Sequence, residues 1–323
     1  MRRLVIVTFL LLALAMGGAA WLLRQVDVTG PLASPVEMTI PAGTGSRAMA
    51  KQLAAAGVIA YPWLFEGYVR VRGVAGRLKA GEYRFNKGVS LRHVVEKLAE
   101  GAVVQRSLTI PEGYTVKQVL ALLAAREDLK GEALPIPAEG DVFPDTYNFS
   151  AGTSRPTLLA TMTARMETEV AAAWKSRASD TPLETAEELL ILASIVQKEA
   201  ANEAEMPQIA GVFTNRLRKG MKLQADPTVI YGADLKDNDL KSKDMKEDHP
   251  FNTYVHAGLP PTPIANPGRA ALRAAANPAR TDALFFMALP DRSGHVFSRD
   301  YATHQKAVKA YWAAYNQRKK EGQ

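Results

Sequence analysis

Residues 184–200, ETAEELLILASIVQKEA, constrain the fold most strongly because their apolar positions recur at helical spacing. One face of this helix ends in an acid, Glu199, and the residues three, four and seven positions earlier are all aliphatic: Val196, Ile195 and Leu192. An acid in line with an apolar stripe lies either at the floor of a cleft or in a frayed, solvated last turn. In a cleft, desolvation would raise the pKa of the carboxyl group and keep it protonated near neutral pH, as a general acid requires. Helix geometry leaves both interpretations open.

A helix-start signal stands just before this stretch. Thr181 can cap a helix, Pro182 suits the first helical position, and Glu184 follows the cap by three residues. We therefore expect the helix to begin directly after Thr181, which would fix the phase of the face that carries Glu199.

Composition limits the chemistry that the chain can perform. Its 323 residues are 47% hydrophobic and 23% charged, which predicts a mostly globular protein with room for two or three domains. The absence of cysteine excludes disulfides, thiolate zinc sites and a cysteine nucleophile. The five histidines form no HExxH pattern, and no phosphate-binding loop or dinucleotide fingerprint follows a strand. We therefore expect no metal and no cofactor, and the remaining chemistry is that of carboxylates.

The formal net charge of +7 favours an acidic partner: nucleic acid, an anionic membrane surface or an anionic cell-wall polymer. No zinc-finger, RRM-like or helix-turn-helix pattern occurs, so we do not expect nucleic acid to be the partner.

An apolar run near the N-terminus predicts the compartment. Residues 4–23 are uncharged and follow Arg2 and Arg3. In a helix, 20 residues would span about 30 Å, the thickness of one hydrocarbon core. We interpret residues 1–24 as a cytoplasmic tip and a single-pass anchor, with a cleavable signal peptide as the alternative. The rest of the chain would then lie outside the cytoplasmic membrane.

The remaining sequence predicts an α+β protein in three further parts. Residues 25–35 read as a tether, and residues 36–106 as a small domain that mixes helices and strands. A second mixed domain follows over residues 107–323. Within it we interpret residues 139–149 as a rigid, aromatic turn segment and residues 284–298 as a strand pair.

Residues 223–268 have the composition of a cleft lining. Prolines and glycines alternate there with asparagine, glutamine, threonine and tyrosine, whose amides, hydroxyls and rings suit sugar recognition. A long ordered surface loop would have the same composition.

Two other acids could act beside Glu199. We expect Asp226 in a polar loop, where its structural alternative is to cap a turn. Glu203 lies one turn beyond Glu199 and could share its face if the helix continued, or could simply be solvated. A two-carboxylate hydrolase needs acids about 5–10 Å apart.

Several long segments, in order, resemble the MltG/YceG family of endolytic murein transglycosylases. They are TIPEG, VFPDTYNF, ILASIVQKEA, GVFTNRLRKGMKLQADPTVIYG and FNTYVHAGLPPTPIANPG. The resemblance covers essentially the whole chain and implies that residues 36–106 form a LysM-like module. It also implies an enzyme that cuts peptidoglycan strands internally, between N-acetylmuramic acid and N-acetylglucosamine, and leaves 1,6-anhydro-muramyl ends without using water.

The resemblance assigns roles to particular residues. The catalytic glutamate of the family matches Glu199, and where relatives often have a glutamate two positions earlier this chain has Gln197. Substrate-binding residues carried over by motif match are Asn215, Gln224, Asp226, Thr228, Asn252 and Tyr254.

In the implied mechanism, protonated Glu199 first donates to the glycosidic oxygen and then accepts the proton of the attacking C6 hydroxyl. Nascent glycan near peptidoglycan synthases is the implied setting. The alternatives are a hydrolytic muramidase that pairs Glu199 with Asp226 or Glu203, and a non-catalytic, membrane-tethered scaffold that binds peptidoglycan.

Overall fold

The computed structural model describes residues 24–235, 240–291 and 293–320, together with positions 6, 9, 16–18 and 21. Most of the predicted membrane anchor over residues 4–23 lies outside the described residues. No helix within the described part of the chain is both long and apolar enough to cross a membrane.

The fold is α+β, and its residues divide into two compact units. The first unit contains residues 1–107 and 148–152, and the second contains residues 108–147 and 153–323. The predicted domain bounds and the LysM-like character of residues 36–106 remain predictions.

The first unit packs three helices against a two-stranded antiparallel sheet. Its elements are β1 (Val36–Ile40), α1 (Ser46–Ala55), α2 (Pro62–Val71), β2 (Gly81–Phe85) and α3 (Leu91–Glu100). Strand β1 pairs antiparallel with β2, from Val36 opposite Phe85 to Ile40 opposite Gly81. The core of this unit is formed by side chains such as Phe65 and Tyr83, both fully buried.

A second two-stranded sheet pairs β3 (Gln105–Thr109) with β4 (Thr146–Ser150). The sequence predicted a turn segment over residues 139–149. This prediction is wrong for residues 146–149, which belong to strand β4. Tyr147 and Phe149 are buried while Thr146 and Asn148 are exposed, which is the alternation of a half-buried strand. The prolines and aspartates before residue 146 concealed that short period.

Helices dominate the second unit. After α4 (Val116–Ala124) and α5 (Arg155–Lys175) come α6 (Ala186–Glu199), α7 (Met206–Arg218), α8 (Asp226–Gly232) and α9 (Arg269–Ala276), then the strands β5 (Phe285–Ala288) and β6 (His295–Ser298), and finally α10 (Tyr301–Lys320). Strands β5 and β6 form the predicted antiparallel pair.

Helix α6 lies at the centre of this unit. It packs against α5, α7, α8 and α9, and its residues 189–196 are all buried. Eight consecutive buried residues mean that neighbouring elements cover α6 on every side over two turns. Its polar Ser194 is satisfied there, because the hydroxyl donates to the carbonyl of Ile191 at 2.7 Å and accepts from the N–H of Ile264 at 3.0 Å.

The predicted start of this helix is wrong by one turn. The cap is Thr185, whose hydroxyl accepts from the N–H of Glu188 at 3.1 Å, and the carboxylate of Glu188 accepts from the N–H of Glu184 at 2.6 Å. Thr185 and Glu188 repeat the cap pattern and replace Thr181 in that role. Because the helix starts later, Leu183 lies before its first turn and packs in the hydrophobic core.

Candidate active site

Glu199 is the last residue of α6, and the next residue, Ala200, already has an extended backbone. The fully buried Leu192, Ile195 and Val196 lie beneath it, as the apolar stripe predicts. The side chain is partly buried and ends the helix at the edge of the core.

The surroundings of Glu199 favour its neutral form. Burial, reinforced by the negative charge of Asp226, raises the pKa of Glu199 to about 8. The positive charge of Arg216 and a hydrogen bond from the backbone N–H of Asp226 oppose this rise. Glu199 is therefore mostly protonated near neutral pH, yet two groups stand ready to stabilise the carboxylate once the proton leaves.

The sequence predicted Asp226 in a polar loop, but it is the first residue of helix α8. Pro227 follows it, and a proline is favoured in the first turn because it needs no hydrogen-bond acceptor there. The hydroxyl of Tyr254 donates to the Asp226 carboxylate at 2.5 Å. Burial, and the nearby negative charge of Asp226, raise the pKa of Tyr254 far above neutral pH, so its hydroxyl keeps its proton.

Arg216 on α7 completes this cluster, and the sequence analysis missed it. It is 6% exposed, its Nε donates to the carbonyl of Leu284 at 2.7 Å, and its guanidinium also donates to the carbonyl of Leu223 at 2.6 Å. The ring of Phe285 lies 5.2 Å away. A sequence signal existed, because Arg216 falls three and four residues after Phe213 and Val212, on the apolar face of its helix.

Glu203 does not share the face of Glu199. Helix α6 ends before it, and Glu203 lies exposed in a 3-10 turn over Glu203–Glu205. Asp226 is therefore the acid that the fold brings to Glu199.

Gln197 points to a different neighbour. Its side-chain oxygen accepts from the N–H of Gly268 at 2.9 Å, and its side chain hydrogen-bonds to Glu112 of the TIPEG segment. A Cβ at Gly268 would lie 1.8 Å from Glu112 Oε1, so a larger residue there would displace the Glu112 carboxylate. Gln197 thus ties the segment before α4 to the end of α6 without competing with Glu199.

Three of the predicted substrate-binding residues use their polar groups inside the protein. Asn215 donates to the carbonyls of Thr281 at 2.8 Å and Ala283 at 3.1 Å. Thr228 and Asn252 are almost fully buried. Their partners are the carbonyl of Ala225, at 2.7 Å from Thr228, and the carbonyl of Glu247, at 2.8 Å from Asn252. The Thr228 contact holds the chain around Asp226, whereas those of Asn252 and Asn215 hold other loops, at residue 247 and at residues 281–283.

Gln224, by contrast, is exposed two residues before Asp226. Its φ of 50° is left-handed, and its N–H donates to the carbonyl of Thr253 at 3.0 Å. Asp226 and Tyr254 lie in the Glu199 cluster, Gln224 lies next to it in the chain, and Asn215, Thr228 and Asn252 serve as scaffolding. A direct role of any of the six in binding substrate stays a prediction.

No group of three histidine, aspartate or glutamate side chains within the described ranges is arranged to hold a metal ion. The arrangement supports acid–base chemistry by one carboxyl group, Glu199. The negative charge of Asp226 favours its protonated form, and the buried guanidinium of Arg216 favours its carboxylate form.

Known proteins match this chain over most of its length. A model of the YceG-like family matches residues 38–310. An endolytic murein transglycosylase of Bacillus subtilis is 33% identical over 315 residues, which cover 88% of this chain and 86% of the relative. One of Streptococcus pneumoniae is 27% identical, and there the match covers 84% of this chain but 58% of the relative.

A solved structure agrees with these relatives. The crystal structure of a YceG-like protein from Listeria monocytogenes is 29% identical and matches with a TM-score of 0.55, covering 85% of this chain and 99% of that one. The resemblance found in the sequence motifs is thereby confirmed, and the chain belongs to the YceG-like family.

Proposed function

We propose that this protein is an endolytic murein transglycosylase, an enzyme that cuts peptidoglycan strands internally. The observation that carries the proposal is Glu199, a partly buried acid whose pKa is raised to about 8 at the end of a core helix. The names of its relatives in Bacillus subtilis and Streptococcus pneumoniae support the same activity.

In the proposed reaction, Glu199 donates its proton to the glycosidic oxygen between N-acetylmuramic acid and N-acetylglucosamine. Positive charge then develops at C1 of the muramyl residue as the bond breaks. The Glu199 carboxylate next takes the proton of the C6 hydroxyl, whose oxygen attacks C1 and closes a 1,6-anhydro ring. One group serves first as acid and then as base, so no water is consumed.

The neighbours of Glu199 suit this alternation. Asp226 makes the protonated form favourable before the first step. Arg216 and the backbone N–H of Asp226 stabilise the carboxylate between the two steps. Tyr254 holds Asp226 by its hydrogen bond, which keeps the negative charge fixed while the proton moves.

Substitution of Glu199 by glutamine tests the proposal, because it preserves shape and removes the proton. We expect Glu199→Gln to unfold at no lower temperature than wild type and to lose nearly all strand cleavage. Glu203→Gln is the matched control, since this acid is exposed and lies past the helix end, and it should cleave normally. Cleavage by Glu199→Gln at the wild-type rate would refute the assignment.

The product end distinguishes transglycosylation from hydrolysis. Mass spectrometry of released glycan should find 1,6-anhydro ends, one water lighter than reducing ends. Reducing ends would instead indicate a muramidase in which Asp226, the acid whose charge acts on Glu199, assists a water molecule. Glycan binding without any cleavage by wild type would indicate a scaffold.

We further propose that residues 4–23 anchor the protein in the cytoplasmic membrane, with its N-terminus in the cytoplasm and residues 25–323 on the outer side. The uncharged run and the preceding arginines support this topology. An anchored enzyme would meet nascent strands next to the synthases that make them. Protease added to intact spheroplasts should then degrade the catalytic unit and spare an N-terminal tag.

A further inference from the structure

A groove of about 790 Å³ opens in the second unit beside the Glu199 cluster. Its lining includes Lys198 and Pro227, the immediate chain neighbours of Glu199 and Asp226. Adjacent residues of a helix point about 100° apart, so the groove flanks the acid rather than containing it. The groove is therefore placed to receive a branch of a strand whose glycosidic oxygen lies at Glu199.

A carboxyl group lies within the groove lining. Glu139 accepts hydrogen bonds from the N–H of Val116 at 2.9 Å and from the hydroxyl of Tyr231 at 3.3 Å. Burial raises the pKa of Glu139 above its ordinary value, and the two hydrogen bonds only partly oppose this rise. Each carboxylate oxygen can accept two hydrogen bonds, so Glu139 retains capacity for an N–H donor supplied by a ligand.

Two lysines, Lys198 and Lys117, line the groove. Lys198, from α6, is exposed and makes no ion pair within the described part of the chain. Lys117, from α4, meets only Asp234 at 3.5 Å, and both side chains of this pair are more than 80% exposed (83% and 89%). A pair this exposed contributes little, so Lys117 can exchange its partner for a carboxylate that arrives with a ligand.

Aromatic rings complete the wall. Tyr231 and Phe251 lie 5.1 Å apart, and His249 lies 5.8 Å from Phe251. Flat apolar faces, a partly buried acceptor and two cations together suit a short chain that has amide planes, N–H donors and carboxylates. A neutral sugar would stack on the rings but would leave Lys198 without an ion-pair partner among the groove residues.

We propose that this groove binds the peptide branch of the glycan strand, with Lys198 and Lys117 pairing with its carboxylates and Glu139 accepting from its N–H groups. In murein such a peptide leaves the muramyl residue through the lactyl group, beside the bond that is cut. This inference rests on the proposed function, and it assigns the groove the task of distinguishing peptide-bearing from bare glycan.

The first test compares glycan strands that carry their peptides with strands from which an amidase has removed them. Wild type should show a kcat/KM at least tenfold higher on the peptide-bearing strands. Lys198→Met keeps the length of the side chain and removes its charge, and it should lower that preference about fivefold. The control is Lys219→Met, an exposed lysine beyond the end of α7, which should keep the wild-type preference.

Equal kcat/KM of wild type on the two substrates, or an unchanged preference in Lys198→Met, would overturn the proposal. A loss of rate on both substrates in equal proportion would also count against it, because that pattern indicates a structural role for Lys198. Cleavage of neither substrate by wild type would instead refute the proposed function, and the groove would then be judged by binding alone.

The binding test uses the full chain carrying Glu199→Gln, titrated by calorimetry with a disaccharide tetrapeptide and with the same disaccharide lacking the peptide. We expect the peptide-bearing ligand to bind at least tenfold more tightly. Adding Lys117→Met and Lys198→Met together should remove most of this difference and leave the thermal midpoint unchanged. Equal affinity for the two ligands would refute the groove assignment whatever the enzyme does.

Discussion

The raised pKa of Glu199 predicts that the free energy of unfolding decreases as the pH rises. Glu199→Gln should abolish this contribution. The folded pKa of about 8 lies above the ordinary carboxyl value of 4.5. Between these values the unfolded chain has released the proton while the folded protein has kept it. Raising the pH therefore favours the unfolded state across this window, and the effect levels off below and above it.

The magnitude follows from the distance between the two pKa values. At about 1.4 kcal/mol per pH unit, this distance corresponds to about 5 kcal/mol between pH 4 and pH 9. Glu199 is only partly buried, and water that reaches a carboxyl screens its charge, so we expect about 2–3 kcal/mol. Much of this loss should already be present at pH 7.

Urea unfolding of wild type and Glu199→Gln at several pH values between 5 and 9.5 measures this effect. The free energy of unfolding of the variant minus that of wild type should grow with pH and then become constant above pH 9. Subtraction removes the other titrating groups, which the two proteins share. A difference that stays constant with pH, or one that shrinks, would show that Glu199 is not buried as described.

Three further predictions concern the rate and the packing around α6. Because the proposed mechanism requires protonated Glu199, kcat/KM should fall about tenfold per pH unit above pH 8, measured as initial release of anhydro ends. Tyr254→Phe removes the hydrogen bond to Asp226 and should lower kcat/KM about tenfold while changing the melting temperature little. Ser194→Ala leaves the buried N–H of Ile264 without its acceptor and should cost about 1–3 kcal/mol in urea unfolding.

Matched variants separate these effects from general damage. Tyr315→Phe alters an exposed tyrosine of α10, and normal activity there would show that the Tyr254 effect is local. Thr161→Ala removes a hydroxyl from the exposed side of α5 and should be nearly neutral, unlike Ser194→Ala. A rate that rises between pH 8 and pH 9 would contradict the proposed acid role.

Local signals were enough to predict most elements. Capping residues and periodicity located α4, whose capping box of Thr115 and Gln118 is present as the pattern requires. The same reasoning failed at α6, where Thr181 and Thr185 offer two caps of similar quality. The choice between them depends on the burial of Leu183, a tertiary contact that no local pattern contains.

The position of the candidate acid could be predicted because it depends on one helix, whereas the positions of its partners depend on several segments. Glu199 stands in line with Leu192, Ile195 and Val196 within one helix, so its position on a buried face follows from spacing alone. Its charge environment is instead built from three separate segments: α7, the start of α8 and the turn that carries Tyr254.

Arg216 shows why such partners escape sequence reasoning. An arginine on an apolar helix face can be read as a defect of the pattern or as a buried cation, and the choice depends on whether carbonyls are available to receive it. These carbonyls belong to Leu223 and Leu284, which follow Arg216 in the sequence by 7 and 68 residues. Burying that guanidinium is unfavourable in isolation, since its hydration is lost. In the proposed mechanism Glu199 carries a negative charge between the two proton transfers, and the buried guanidinium would stabilise that charge. A buried cation next to a candidate acid is therefore a better guide to the site than the polar residues of a motif, three of which serve here to hold the loops.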